Sequence, residues 1–473
     1  MSYTLGLIEA KSIRRGAMFK TNLKFFIMKH KRKILITAIS IPTLIIAAWI
    51  LIPMVVPVFQ DWQEARRFAN LDRQDFIEDF DFLVEMLREN FPFEDAIYYR
   101  RGLNIWELAD HTRALLVDPS TPMDTPNDFF DLMREEFFAP IHGMGHLLIL
   151  DYSRYRQQIN NFLFGLQVDE WRRHRGLGLR TEFPVTDLWR DTLFAPPVTS
   201  FYDSIIGEML EGDWGDGVGS MMDFEVLEPN SILYIEINRL AASFEQHYIN
   251  QMQSWLEYAV DFEHLIIDIR NLSGGHAYAW HWLASWLVDR AIDVSFYVHY
   301  NLGTNNEAWA AAYVFENRRL ASYPYEGYGF DRRLSQTFSI WPPHTWYPTH
   351  HRPHGYDRPR FSGQVWVLVD GDTSSSAELF AAIIKYSDFA TLVGERTFGA
   401  DFSQALAQTW ASFYLPNSGI VILYNYGVVS DSQGNFFVGS GVEPYYPNRP
   451  SMDALETVLV IINEAREVQL ISY

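Results

Sequence analysis

Between residues 365 and 382 the chain reads as a strand, a turn of small residues and a helix. Val365-Trp366-Val367-Leu368-Val369 is followed by Asp370-Gly371-Asp372-Thr373-Ser374-Ser375-Ser376-Ala377-Glu378 and then by Leu379-Phe380-Ala381-Ala382. A hydroxyl in the first turn of a helix lies beside N–H groups that have no intrahelical acceptor, at the positive end of the helix dipole, where a developing oxyanion is stabilised. That setting suits a nucleophilic serine; without chemistry the same turn is an N-cap. The chain has no cysteine, so disulfides, thiolate metal ligands and a thiol nucleophile are excluded. Ser, Thr, Lys or a carboxylate remains for covalent chemistry. A second small-residue break, Ser273-Gly274-Gly275, follows the apolar run ending in Asp268-Ile269-Arg270. With no Cβ in the way, a substrate carbonyl can approach the N–H groups of Gly274 and Gly275; otherwise they make a tight turn. Further upstream, His142 and His146 stand four residues apart in His142-Gly143-Met144-Gly145-His146. That spacing serves a base, a metal pair or packing, and the neighbouring residues complete no metal-ligand pattern.

The elements that must hold these residues follow from hydrophobic periodicity. The stretch 72–138 reads as helical, because Phe76, Phe80, Leu83 and Leu87 recur at helical spacing, with the intervening acids facing water. Within it, Thr125 is a candidate N-cap with Pro126 in the first turn. Beyond His146, short apolar runs at 232–237, 265–269, 365–369 and 420–423 alternate with helical patterns at 244–258, 277–289 and 378–386, and a last helix covers 452–468. Strands separated by helices predict an α/β domain with at least partly parallel pairing. The segments around 211–220 and 341–360 read as loops. Gly215-Asp216-Gly217-Val218-Gly219 lacks the spacing of a nucleotide loop, and His344, His350, His351 and His354 read as solvated or stacking residues. Trp341, Trp346 and Tyr347 could line a peptide cleft or sit in the core.

Charge is unevenly distributed. The net charge is -21, yet the first 33 residues hold nine of the 38 basic side chains and one of the 59 acids. The remainder therefore carries about -29, which repels polyphosphate and argues against nucleic acid as a partner. From Ile34 to Phe59 there is no charged residue, and the flanking Lys29, Lys31, Arg32 and Lys33 place the N-terminus in the cytoplasm. A membrane-spanning signal anchor is the expectation; a cleaved signal peptide or a buried core helix is the alternative.

Three motifs in order carry a family resemblance: Asp268 to Gly275, the run from Thr373 to Ala400, and Gly439-Ser440-Gly441-Val442-Glu443-Pro444. Together with Asp79-Phe80-Asp81-Phe82-Leu83 in the helical lead-in, they make the chain resemble the S41 serine peptidases, the C-terminal processing and tricorn-type proteases. The resemblance implies a ClpP/crotonase-like α/β fold and a nucleophile three residues before Glu378, at Ser375, flanked by Ser374 and Ser376. It also implies an oxyanion site from the backbone N–H groups of Gly274 or Gly275 and of Ser376. Processing proteases of the family place a lysine where this chain has Ala400, after Thr397-Phe398-Gly399. Lys385, on the following helix, reads as a solvated side chain. The tricorn-like branch uses a histidine from a motif just after the lead-in, and His146 occupies that place, with Met144 and Leu147 replacing the usual polar residues. The resemblance therefore favours the His-base branch over a Ser-Lys dyad. Glu443 and Glu378 are the candidate orienting acids, and no metal or cofactor is implied.

The domain organisation expected is a cytoplasmic basic tail (1–33), a transmembrane signal-anchor helix (34–59), a helical lead-in (60–140) and a peptidase domain (141–473). The expected function is hydrolysis of peptide or protein substrates through an acyl-enzyme, by a single-pass cell-membrane protein whose catalytic domain is extracellular. No PDZ-like pattern stands between His146 and Ile232 to capture a substrate tail. A non-catalytic ligand- or peptide-binding protein on the same fold is the alternative.

Overall fold

The structure is a computed structural model that describes residues 66–160, 162, 184–205, 222–238, 245–275, 277–316, 322–327, 330–340, 361–407 and 409–471. The expected membrane segment, 34–59, lies outside these residues. So do the loops at 211–220 and 341–360, with the four loop histidines and Trp341, Trp346 and Tyr347. Among the described residues no helix is long and apolar enough to cross a membrane.

Four helices open the described chain: α1 (Arg73–Asn90), α2 (Glu94–Arg101), α3 (Ile105–Val117) and α4 (Pro126–Leu132), the last running into a π-helical turn at Met133–Phe138. Asp72 caps α1 through a capping box. Thr125 does the same for α4, with Pro126 in the first turn, as the residue order predicts. The short β1 (Leu148–Ile149) precedes α5 (Pro184–Leu193) and α6 (Pro196–Ser204). Then come β2 (Met222–Glu228), β3 (Ile232–Ile237), α7 (Glu245–Ala259), β4 (His264–Asp268), α8 (Ala277–Leu287), β5 (Ile292–Tyr300), α9 (Thr304–Glu316), β6 (Ser322–Gly327) and β7 (Phe330–Ile340). The chain continues with β8 (Gln364–Val369), α10 (Ser375–Ser387), β9 (Thr391–Gly394), α11 (Ser403–Ala407), β10 (Trp410–Tyr414), β11 (Val421–Asn425), β12 (Gly427–Ser430), β13 (Tyr446–Pro447) and α12 (Ala454–Ile471).

The central sheet has six strands in the order β13-β9-β8-β4-β3-β2, parallel except for the edge strand β2. Its inner strands are apolar on both faces, because each face is covered by helices. Leu265, Ile267, Val365, Val367 and Val369 point to one side, in a core with Leu283, Phe380 and Ile384 from α8 and α10. Ile266, Trp366 and Leu368 point to the other, against Ala454, Val458 and Ile462 of α12. Two smaller antiparallel sheets, β1-β11-β10 and β12-β5-β7-β6, complete the sheet structure.

The helical lead-in belongs to the same compact unit as the sheets, which runs from Asn70 to Tyr473. Phe76, Phe80, Leu83 and Leu87 are fully buried, as their spacing requires. Asp79 corrects the expectation that the acids of α1 face water: it is buried too. Its carboxylate accepts the N–H groups of Asn417 (2.8 Å) and Ser418 (2.7 Å) in the β10–β11 turn. A turn buried against a helix leaves N–H donors without water, and an acid on the apolar face satisfies them. Burial holds the Asp79 carboxyl above its usual range, and the turn's hydrogen bonds oppose the shift.

Candidate active site

The turn between β8 and α10 is fixed by its own side chains. Thr373 donates its hydroxyl to the Ile269 carbonyl (3.1 Å), and Asp370 accepts the Thr373 N–H (2.9 Å) and the Asn271 N–H (3.1 Å). The Ser374 N–H reaches the Leu272 carbonyl at 3.1 Å. These bonds lock the end of β8 to the glycine loop after β4. The three serines then part ways. Ser374 is the N-cap residue and Ser375 begins the helix. Ser376 is buried, and its hydroxyl donates to the Gly275 carbonyl (2.7 Å) while accepting the Trp280 indole N–H (3.1 Å). Ser375 alone turns its hydroxyl to the imidazole, at a backbone φ of +55°. A non-glycine residue held in the left-handed region costs about 1–3 kcal/mol, strain of a kind that gathers at functional sites.

Gly274 closes the other side. A Cβ placed there would stand 2.9 Å from the Ser375 Cβ and 3.2 Å from the Ser376 nitrogen, so only glycine admits this approach. Gly274 and Gly275 have φ of +108° and +126°. The Ser376 N–H, in the first helical turn, lacks an intrahelical acceptor by geometry, and it lies beside Gly274.

The imidazole comes from the loop ahead of β1. His146 Nε2 is 3.0 Å from Ser375 Oγ, although 229 residues separate the two. The loop is sharply bent: Gly143, Gly145 and His146 have φ of +85°, +55° and +48°. Gly145 lies against the Phe93 and Phe91 rings, at 2.5 and 2.7 Å from where its Cβ would be. Phe91 and Phe93 of the lead-in therefore form the floor under the His146 loop. Arg101 adds a bond to the His142 carbonyl (3.0 Å), which leaves His142 at the exposed edge of the loop. His142 is not part of the pair. The His146 ring packs edge-on against Trp410, 5.4 Å between centroids. Burial lowers its pKa to about 4, so the ring is neutral and able to accept a proton at ordinary pH.

Neither acid expected to orient the histidine does so. Glu378 is fully buried, and its carboxylate accepts the Thr397 hydroxyl (2.6 Å) and the N–H groups of Gly399 (2.6 Å) and Ala400 (3.1 Å). It ties the Thr397–Ala400 loop to the nucleophile helix. Burial raises it to about 7 against those hydrogen bonds, with Asp401 adding to the rise. Glu443 is exposed and paired with Arg396. The group at the far side of the imidazole is an amide: Asn425 Nδ2 lies 3.0 Å from His146 Nδ1. Strand register explains the meeting. Leu148 of β1 pairs with Leu423 of β11 in antiparallel sense, and two residues further along this register His146 stands opposite Asn425. No local motif around Leu423-Tyr424-Asn425 marks the residue, since the pairing spans 279 positions. Lys385 lies in the last turn of α10, with its ammonium 4.2 Å from the Tyr445 ring centroid, away from Ser375. Ala400, the position at which the resemblance expects a dyad lysine, is buried.

A nucleophile, a neutral base in hydrogen-bond range and adjoining N–H donors can together carry out acyl transfer. Residues 231–447 match the model of peptidase family S41. This stretch, a little under half of the chain, is similar to the S41 peptidases, and the enzyme class is that of the serine-type peptidases. Ser375, Gly274, Gly275 and Ser376 fall inside the match; His146 falls outside it. No curated protein matches the chain significantly. Among solved structures, the chain is similar to a candidate peptidase from Parabacteroides merdae (18% identity, 80% of this chain and 90% of that one, TM-score 0.42). It is also similar to a lipoprotein from Streptococcus agalactiae (14% identity, 82% and 96%, TM-score 0.40). A third likeness is to the photosystem II D1 C-terminal processing protease (18% identity, 49% of each chain, TM-score 0.31).

Proposed function

Starting from an S41 domain over residues 231–447, we propose that this chain is a His-base serine peptidase that cleaves peptides outside the cytoplasm. In the proposed reaction Ser375 Oγ attacks the scissile carbonyl carbon as its proton passes to His146 Nε2. The new C–O bond leaves negative charge on the carbonyl oxygen, within reach of the N–H groups of Gly274 or Gly275 and of Ser376. Collapse breaks the C–N bond, and the proton on Nε2 goes to the departing amine. Water then attacks the acyl-enzyme, gives its proton to the same nitrogen, and Ser375 leaves with it.

The observation that carries this reading is the 3.0 Å contact between His146 Nε2 and Ser375 Oγ. The alanine at position 400 supports a histidine base, because Lys385, the one lysine among the described residues, lies against Tyr445. For the location, the support lies in the sequence: an uncharged stretch from 34 to 59 behind a basic cluster, which anchors the chain with its N-terminus inside.

One experiment tests both parts. A fluorophosphonate that does not cross membranes is applied to intact cells and, separately, to lysed cells. Labelling of intact cells that disappears in Ser375→Ala is the expected result. Labelling only after lysis would refute the outward placement, and absence of labelling in both would refute an activated serine.

A further inference from the structure

We infer that Asn425 is the positioning residue for His146, holding its Nδ1–H with the amide oxygen while Nε2 faces Ser375. This inference rests on His146 being the base. Asn425 is fully buried on β11, and its contact with Nδ1 follows from the β1–β11 register. The other groups against the ring are Ser375 Oγ and the Trp410 indole. Among the described residues no charged neighbour contributes to the ring's shift.

The proton inventory decides which end of the amide must face the ring. With Nδ2 toward Nδ1, the imidazole accepts at Nδ1 and so carries its single proton on Nε2, where it cannot take one from the serine. That orientation also leaves Asn425 Oδ1 buried without a partner. A half turn about Cβ–Cγ places Oδ1 on Nδ1 in the same space and exchanges which amide atom is unpaired. The charged ring settles the choice. After His146 has taken the serine's proton both ring nitrogens are donors, and an NH₂ group facing Nδ1 would set donor against donor. Only the amide oxygen is compatible with every protonation state the reaction passes through.

An amide differs from a carboxylate in one respect that can be measured. It orients the ring without a countercharge, so the imidazolium gains a hydrogen bond and no ion pair. Burial, which lowers the ring's pKa, is therefore not offset by an opposite charge at Nδ1.

The test reads the ring itself. The full chain carrying Ser375→Ala is labelled with ¹⁵N-histidine, and the His146 signals are identified by their loss in His146→Gln. The expected result is an Nδ1–H tautomer at neutral pH and a pKa that rises by more than one unit in Asn425→Asp. An Nε2–H tautomer, or an unmoved pKa in a folded Asn425→Asp chain, would overturn the inference. The tautomer is read without any substitution at 425, so a misfolded variant does not block the test. With Ser375 restored, Asn425→Ala is expected to lower kcat by about 10²- to 10⁴-fold with KM little changed. An Nδ1–H tautomer and a raised pKa in a chain that cleaves nothing would support the positioning role and refute only the peptidase reading.

Discussion

The turn at Ser375 and the loop at His146 meet at the hydrogen bond between those two side chains, yet they are held by different kinds of order. Ser375 sits between a central parallel strand and the helix that follows it, and the bonds that set it run to the adjoining strand β4 and its loop. His146 depends on parts distant in sequence: two phenylalanines after α1, an arginine of α2, and a strand more than two hundred residues later. The turn at Ser375 is thus built by a supersecondary unit, whereas the placement of His146 draws on the lead-in and the small β1-β11-β10 sheet.

The largest expected effect tests the link between the two. His146→Ala lowers kcat/KM on a peptide substrate by about 10³- to 10⁴-fold, with the sheet core and its near-ultraviolet dichroism unchanged. Retained activity in that variant would assign the base elsewhere and end the comparison. An intermediate effect comes from the floor beneath the base. Gly145→Val forces a side chain into Phe93 and Phe91 at a positive φ. The strain costs about 1–3 kcal/mol, and displacement of the ring by an ångström lowers kcat by about 10²-fold. Equal activity and equal urea stability would show that the lead-in does not support the site. The smallest effect is expected for Lys385→Ala, whose side chain rests on Tyr445 at the far end of α10. Its rate should stay within about twofold of the parent, and a large loss would move the proton-transfer role to the nucleophile's own helix.

The same division explains what could be read from the residues alone. The parallel strands, the turn at Ser375 and the glycine loop were legible because each is written in consecutive residues: apolar runs, small-residue breaks, a helix start. His146 could be told from His142 only through resemblance. Asn425 was not reachable at all, since a polar residue in a buried strand acquires its meaning from whatever stands across the ladder. The misreading of Asp79 has a similar cause. Helical spacing reports which face of α1 is inward, but not that the turn packed against it has two N–H groups in need of an acceptor. Glu378 and Glu443 looked suitable by chemistry and motif; one instead braces the Thr397–Ala400 loop and the other pairs at the surface with Arg396.

The two-residue strand β1 has a consequence for how the protein comes into being. A one-residue slip against β11 would turn the imidazole to the opposite face, and before β11 has been synthesised there is nothing for β1 to pair with. A nascent chain that ends before residue 421 therefore has its Ser375 turn without the strand that sets His146 against it.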